Sequence, residues 1–244
     1  MAQKVIFFLA ITFACNTFCF AQYTDSTQHF TSYTSSGSLN RTNGNKAYLL
    51  NNAVKLGLKK KSISLNFNNN WIYGKQNQGI TNNDFSSTLD FNLYKTLPHF
   101  FYWGLANYNT SYSLKINHQL LTGAGIAYSI VDRPNAYLNL SNGILYDYSD
   151  LTLNGMSDKY SSSRNSFRLS YRFVIGKVVE ISGTNFSQNS LNDKHDYIIK
   201  TNNKVSFKVN KWISLLTQLD YNKLSRTNSE NLLLSYGLNF ERYF

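Results

Sequence analysis

Cations recur at every fourth position in two stretches of the sequence: Lys200, Lys204 and Lys208 in one, Arg168 and Arg172 in the other. Residues an even number of positions apart project to the same face of an extended strand, so each row forms a line of positive charge. Such lines can bind or steer anions. Alternatively, acidic side chains on nearby strands pair with them, and the rows only brace the fold.

Carboxylates on the polar faces of other predicted strands are the candidates for such pairing. They are Asp84, Asp90, Asp147, Glu180, Asp220 and Glu241. Charges enclosed by protein are rarely left unpaired, because removing them from water costs free energy. The sequence therefore leaves two hypotheses open: a paired, filled interior, or one basic wall that favours small anions.

A catalytic site is the other chemistry to consider. His118 could act as a base, with Ser111 and Ser113 close in sequence. Nucleophile, base and orienting group must lie within hydrogen-bond reach, and neighbours in a predicted loop provide no such geometry. We expect no enzymatic activity, with a lipid hydrolase using His118 as the alternative. His195 and Asp196 are too few ligands for a metal site, and we expect no cofactor.

The elements that must position these residues are extended strands. About twelve stretches, most of roughly 10 to 14 residues, alternate apolar and polar side chains. In the clearest, one side carries Ile63, Leu65, Phe67, Trp71 and Tyr73, and the other carries Ser62, Ser64, Asn66, Asn68 and Asn70. Strands of soluble proteins usually run about five or six residues, whereas tilted strands that cross a membrane need about 9 to 11.

The predicted connections alternate in length along the chain. Those at 59–61, 96–99, 132–135, 175–177 and 210–211 are short, whereas those at 74–83, 151–159 and 224–231 are longer and polar. Short turns on one side and long loops on the other are typical of a membrane barrel with periplasmic turns. Both termini then lie on the periplasmic side. The long loops 74–83 and 151–159 also leave open a surface adhesin.

Aromatic placement indicates which face meets lipid. Trp71, Tyr73, Tyr146, Tyr148, Tyr197 and Tyr221 fall at the outer strand ends, and Phe173, Trp212 and Phe244 at the inner ends. Such groups form the girdles at the two lipid interfaces. We predict an all-β fold, a transmembrane antiparallel up-and-down β-barrel of about 12 strands with a polar lumen. A lipocalin-like barrel with apolar residues inside is the alternative.

The N-terminal segment, residues 1–21, is typical of a secretory signal peptide. It has Lys4 near its start, an apolar run over 5–14 and the small residue Ala21 before the expected cut. Cys15 permits a lipoprotein interpretation, although the residues before it match that motif poorly. The barrel would then be residues 22–244, which contain no cysteine and so no disulfide. The formal net charge of +11 favours lipopolysaccharide or an anion-preferring lumen over nucleic acid.

The last strand places Tyr236, Leu238, Phe240 and the terminal Phe244 on one face. A chain that ends in this way resembles the closing strand of bacterial outer-membrane barrels, in which a terminal Phe is the assembly signal. That resemblance implies the barrel-assembly machinery as a partner. The alternative is the last strand of a soluble sandwich.

Glycines and tyrosines in the middle of the chain carry a second resemblance. Gly123, Gly125, Tyr128, Gly143 and Tyr146, with the C-terminal strand, resemble the salt-induced outer-membrane protein family, domain of unknown function 481. This resemblance implies a location in the outer membrane and a barrel fold, and it supplies no catalytic residues. We therefore expect a non-enzymatic barrel that is structural or forms a narrow passive pore.

Overall fold

The computed structural model describes residues 28–42 and 44–244; the predicted signal peptide at 1–21 lies outside them. Over these residues the chain forms twelve antiparallel strands that close into one barrel. The strands are β1 (His29–Thr42), β2 (Asn45–Lys60), β3 (Ile63–Gln76), β4 (Gly79–Leu97), β5 (Phe100–Ser111), β6 (Ile116–Arg133), β7 (Ala136–Leu153), β8 (Met156–Ile175), β9 (Val179–Ser190), β10 (Tyr197–Lys208), β11 (Ile213–Leu224) and β12 (Ser229–Tyr243). The predicted fold class is confirmed. Nowhere in these residues does a helix have the length and apolarity needed to cross a membrane.

Every strand pairs with its sequence neighbours, and the ring is closed by β1 against β12, with Tyr33 opposite Phe240. His29 and Phe244 exchange two backbone hydrogen bonds of 2.8 and 3.0 Å at this seam. The start of β1 and the end of β12 therefore meet at the same end of the barrel, which we call the terminal end. The opposite end is the distal end.

Alternation along the strands separates two faces. In β3, Ser64 is buried whereas Leu65 and Phe67 are exposed. The same pattern recurs around the ring, so the outer surface is apolar and the interior is mostly polar. The lipocalin-like alternative is wrong, because the apolar rows point outward. The soluble sandwich is also wrong, because β1 and β12 are paired and leave no open edge.

The prediction of long distal loops is wrong. The residues at 74–83 continue β3 and β4 as a hairpin, and those at 151–159 continue β7 and β8 to a turn at Asn154 and Gly155. Both turn residues have positive φ, 51° and 80°, and an Asn-Gly pair adopts this conformation readily. Pairing also satisfies backbone groups that a loop would leave to water. The adhesin hypothesis thereby loses the loops on which it rested.

Candidate functional site

A charged crossbar spans the lumen. Arg168 on β8 donates to Asp90 on β4 over 2.9 Å, and these strands lie four positions apart in the ring. The Arg168 guanidinium also donates to Ser141 (3.1 Å) and lies 5.0 Å from the centre of the Trp103 ring. The side chains are 11% and 16% exposed, so little water reaches this pair. The crossbar narrows the passage through the barrel.

Glycines make room for the indole beneath this arginine. Trp103 is 3% exposed, and its Nε1–H donates to the carbonyl of Ile126 at 3.3 Å. A Cβ at Gly143 or Gly125 would lie only 2.5 or 2.7 Å from the Trp103 ring atom Cζ2. These are the glycines of the motif identified in the sequence. Their role is to let a large aromatic side chain lie flat against the inner wall.

The distal part of the lumen contains a fully buried charge network. Arg164 on β8 binds Asp147 on β7 at 2.6 Å and Asp196 in the 191–196 connection at 2.9 Å. Tyr160 donates to Asp147 at 3.0 Å, and Arg164 donates to the Tyr160 hydroxyl at 3.2 Å. The side chains of Arg164 and Asp147 are both 0% exposed. Two carboxylates thus hold one buried guanidinium, and we call these four residues the distal network.

Apolar side chains close the distal mouth beside this network. Five of them form one buried cluster, drawn from the 112–115 connection and from strands up to five positions apart in the ring: Leu114, Ile116, Leu151, Ile198 and Leu224. The 225–228 connection reaches across to the 112–115 connection, where Thr227 donates to the carbonyl of Leu114 at 3.1 Å. Asn231 donates to Ser113 at 3.0 Å. We call the five apolar residues with Thr227 the distal seal.

Arg226 joins the seal to the network. It lies 3.4 Å from Asp158 and 3.5 Å from Asp196, and its guanidinium lies 3.9 Å from the centre of the Tyr160 ring. Asp196 therefore receives two arginines, Arg164 from the wall and Arg226 from the 225–228 connection. This sharing links the position of the connection to the charges inside the barrel.

Other interior charges are paired along the wall. Arg172 binds Glu180 at 2.8 Å, and Lys208 lies 3.5 Å from Glu241. Asp220 is held instead by amides, since Gln218 donates to it at 2.7 Å and Asn202 also donates to it.

Three interior lysines have no such partner. Within the described ranges, no carboxylate lies within 4.0 Å of Lys55 on β2 or of Lys200 and Lys204 on β10. All three side chains are half-buried and point to the lumen. At longer range, Lys55 and Lys204 interact electrostatically with each other and with Glu180 and Asp220. We call these residues the lysine triad.

The predicted lumen residues all occupy interior-facing positions. Ion pairs join three of the basic ones, Arg168, Arg172 and Lys208, to predicted acidic ones. Asp84 accepts hydrogen bonds of 2.7 Å from Ser111 and from Ser113. Arg164 and Lys55 were missed by the sequence reasoning. Arg164 continues the four-residue spacing of Arg168 and Arg172, and Lys55 alternates with Val54 and Leu56, so both signals were present.

The structure does not bring the candidate hydrolase residues together. His118 lies on the exterior, where its Nδ1 is 2.7 Å from the Tyr108 hydroxyl. Ser111 and Ser113 are bound to Asp84 inside the barrel. His195 and Asp196 also separate, because Asp196 pairs with Arg164. The predicted assembly residues Tyr236, Leu238, Phe240 and Phe244 are exposed on the outer face of β12 or at its end; their role stays a prediction.

Comparison with known proteins agrees with this architecture. A family model described as a protein of unknown function, DUF481, matches residues 22–239. The predicted resemblance to that domain is confirmed; the name salt-induced is not part of the description. No curated protein has significant sequence similarity to the chain.

Several solved structures share the barrel. The NanC porin is 9% identical, with 87% of this chain and 99% of that chain covered and a TM-score of 0.54. The translocator domain of the autotransporter NalP from Neisseria meningitidis is 12% identical, with 98% of this chain and 95% of that chain covered and a TM-score of 0.50. An outer membrane channel from Pseudomonas putida F1 is 12% identical, with 94% of this chain and 100% of that chain covered and a TM-score of 0.50. At such identities the similarity shows the fold alone, which is that of bacterial outer-membrane barrels.

Proposed function

The chain belongs to the DUF481 family of unknown function, and we propose that it is a narrow, anion-preferring pore of the outer membrane, closed at its distal mouth in this conformation. The terminal end faces the periplasm and the distal end the exterior. The observation that carries the proposal is the lysine triad, which has no ion-pair partner among the residues that the structure describes.

Desolvation is the reason that this observation matters. Burying an unpaired ammonium group in a dry interior costs roughly several kcal/mol of desolvation free energy. In a purely structural lumen, such a lysine would therefore be paired with a carboxylate or replaced by an uncharged residue. The same barrel does pair Arg164 and Arg168. Half-buried lysines with no carboxylate at ion-pair distance are instead compatible with water in the lumen. Their charge then favours anions over cations, as charged rings do in pores.

The distal seal explains how such a pore is closed. It consists of apolar contacts and of the hydrogen bond between Thr227 and Leu114 (3.1 Å), with the side-chain contacts of Asn231 and Arg226 beside it. None of these is a pairing between wall strands, so the seal can open while the wall stays closed. Hydrophobic constrictions gate pores by excluding water. Parting the 112–115 and 225–228 connections would admit water to the mouth, after which the Arg168–Asp90 crossbar is the next constriction.

Planar-bilayer recording under a salt gradient tests the proposal. We expect rare openings with an anion-selective reversal potential for the native barrel, and frequent openings for Leu224→Asn, which places a polar amide in the seal. Lys204→Glu in the Leu224→Asn background should reduce or reverse the selectivity. Lys194→Glu is the matched control, since Lys194 is exposed in the 191–196 connection and should leave selectivity unchanged.

Two outcomes contradict the pore. One is the absence of current from both the native and Leu224→Asn barrels when heat-modifiable mobility on gels shows that both are folded. The other is a selectivity that Lys204→Glu leaves unaltered, since the triad would then not contribute to permeation.

Assembly forms part of the same proposal. The outward row of Tyr236, Leu238, Phe240 and Phe244 is presented to the barrel-assembly machinery as the chain enters the membrane. Phe244→Ser should lower the amount of folded barrel in the outer membrane, whereas Leu191→Ser, at an exposed distal position, should not. Equal folded amounts would contradict the assembly role.

A further inference from the structure

A cluster of cations lies on the outside of the barrel at its distal end. Arg41 on β1 is directly opposite Lys46 on β2, and Lys75 on β3 is opposite Tyr48, the residue two positions along from Lys46. All three belong to the rows that face away from the lumen. The distal halves of β1, β2 and β3 contain no Asp or Glu, and over the described residues none of the three cations forms an ion pair.

Like charges directly opposite each other destabilise a pair of strands. Elsewhere on the distal exterior the chain avoids this arrangement: Lys223 on β11 lies 3.7 Å from Glu230 on β12. The arrangement of Arg41 and Lys46 therefore disfavours the isolated barrel, and a bound anion between them would relieve the repulsion. Arginine and lysine together are suited to a phosphate group, which Arg can bind with two parallel hydrogen bonds.

The layers below the cations indicate the rest of the ligand. Rings of Tyr48 and Tyr73 lie 6.3 Å apart, those of Trp71 and Tyr73 lie 5.9 Å apart, and Lys75 lies 6.0 Å from the Tyr73 ring centre. Farther toward the middle of the barrel the same outward rows become apolar, with Val54 and Phe67 exposed. Cation, aromatic and apolar layers in this order match a molecule with phosphate, sugar and acyl chains.

Hydrogen bonds at the strand tips hold this surface in place. Asn77, in the turn between β3 and β4, donates its backbone N–H to the Lys46 carbonyl at 2.6 Å and accepts from the Lys46 N–H at 3.0 Å. Its side-chain amide also donates to Asn45 at 3.3 Å. The β3–β4 hairpin is thereby tied to β2, so Lys46 and Lys75 keep their relative positions before any ligand arrives.

We propose that Arg41, Lys46 and Lys75, with the Tyr48, Trp71 and Tyr73 rings, form a binding site for the phosphorylated glycolipid of the outer leaflet, lipopolysaccharide. The inference rests on the orientation given under the proposed function, with the distal end at the cell exterior. The basic composition of the sequence already favoured lipopolysaccharide as a partner, but only the strand register shows that three cations cluster on one face.

Native mass spectrometry of the purified full barrel in detergent tests the site. The probes are bisphosphorylated lipid A, the same lipid A with its phosphates removed, phosphatidylglycerol and inorganic phosphate. We expect the native barrel to retain bisphosphorylated lipid A more tightly than the other three. The double variant Lys46→Gln/Lys75→Gln should bind it roughly tenfold more weakly or worse. Lys223→Gln, at a cation that already has a carboxylate partner, is the matched control and should bind as the native barrel does.

Each other result would overturn the inference. Equal retention of dephosphorylated lipid A would exclude recognition of phosphate. Equal retention of phosphatidylglycerol would indicate a general anionic-lipid surface, and tight binding of inorganic phosphate a free-anion site. A comparable loss in Lys223→Gln would show non-specific charge attraction. Failure of the pore is distinguishable, because Lys46→Gln/Lys75→Gln should leave the bilayer selectivity unchanged whichever lipid binds.

Discussion

The distal network and the lysine triad lie in one lumen and arise from the same alternation of strand residues, yet their charges are compensated differently. Arg164 is 0% exposed and binds two carboxylates, whereas Lys55, Lys200 and Lys204 are half-buried and bind none within the described part of the chain. Where the interior excludes water, a charge must be matched by an opposite charge or by hydrogen bonds. Where charge is unmatched, water must remain. The difference separates a sealed part of the barrel from a part that can hold ions.

The largest effect is expected from breaking the distal network. Arg164→Ala would leave Asp147 and Asp196 buried without their guanidinium, which should lower the free energy of unfolding by about 3–5 kcal/mol. Urea unfolding in detergent micelles, followed by tryptophan fluorescence, measures the loss. Lys223→Ala removes a cation from an exposed pair and serves as the control, with little change expected. Equal stabilities for the two variants would show that the buried network contributes no more to folding than an exposed ion pair does.

A smaller loss is expected from disturbing the wall beneath the Arg168–Asp90 crossbar. In Gly143→Ala the new Cβ would lie 2.5 Å from Trp103 and 2.8 Å from the backbone of Gly125, so one of them must shift. We expect about 1–3 kcal/mol of destabilisation, as in other overpacked sites. Gly104→Ala is the matched control, since the new Cβ would lie 3.9 Å from the Gly123 carbonyl oxygen, an ordinary van der Waals contact. The interpretation fails if both substitutions are neutral in the same urea titration.

A change in the seal should have a still smaller effect on stability and a larger one on opening. Thr227→Val keeps the volume of the side chain but removes its hydrogen bond to the Leu114 carbonyl, which contributes about 1 kcal/mol. The fraction of time open in bilayer recordings should rise several-fold. Thr217→Val, on the outer face of β11, should leave gating unchanged. An unaltered open fraction in Thr227→Val would show that the 225–228 connection does not take part in gating.

The smallest effect on stability is expected at the lysine triad. Lys55→Gln removes no ion pair, so the free energy of unfolding should change by less than about 1 kcal/mol, whereas the anion preference of the open pore should fall. Urea titration and reversal potentials give the two quantities on one preparation. A loss as large as that of Arg164→Ala would mean that Lys55 is bound in a dry interior, and the contrast between the two regions would disappear.

Strand identity and side-chain facing follow from the sequence because they depend only on a residue's immediate neighbours. An extended chain alternates its side chains with a period of two, so Lys204 and Asp90 could be assigned to the interior without coordinates. The glycines that resemble the family motif could be identified too, although not their contact with Trp103. The prediction of distal loops was wrong because the polar residues at 74–83 and 151–159 are equally compatible with a loop and with a paired hairpin extension. Pairing with the neighbouring strand decided between them.

What the sequence alone determined is a closed ring of long strands with an apolar outside and a charged inside. Only the tertiary structure decided which charges meet: Arg168 pairs with Asp90 across 78 positions of sequence, and Thr227 reaches Leu114 across 113. Such contacts depend on how strands far apart in the chain are staggered around the ring. No local pattern encodes that stagger, because it results from the combined register of all twelve strand pairs.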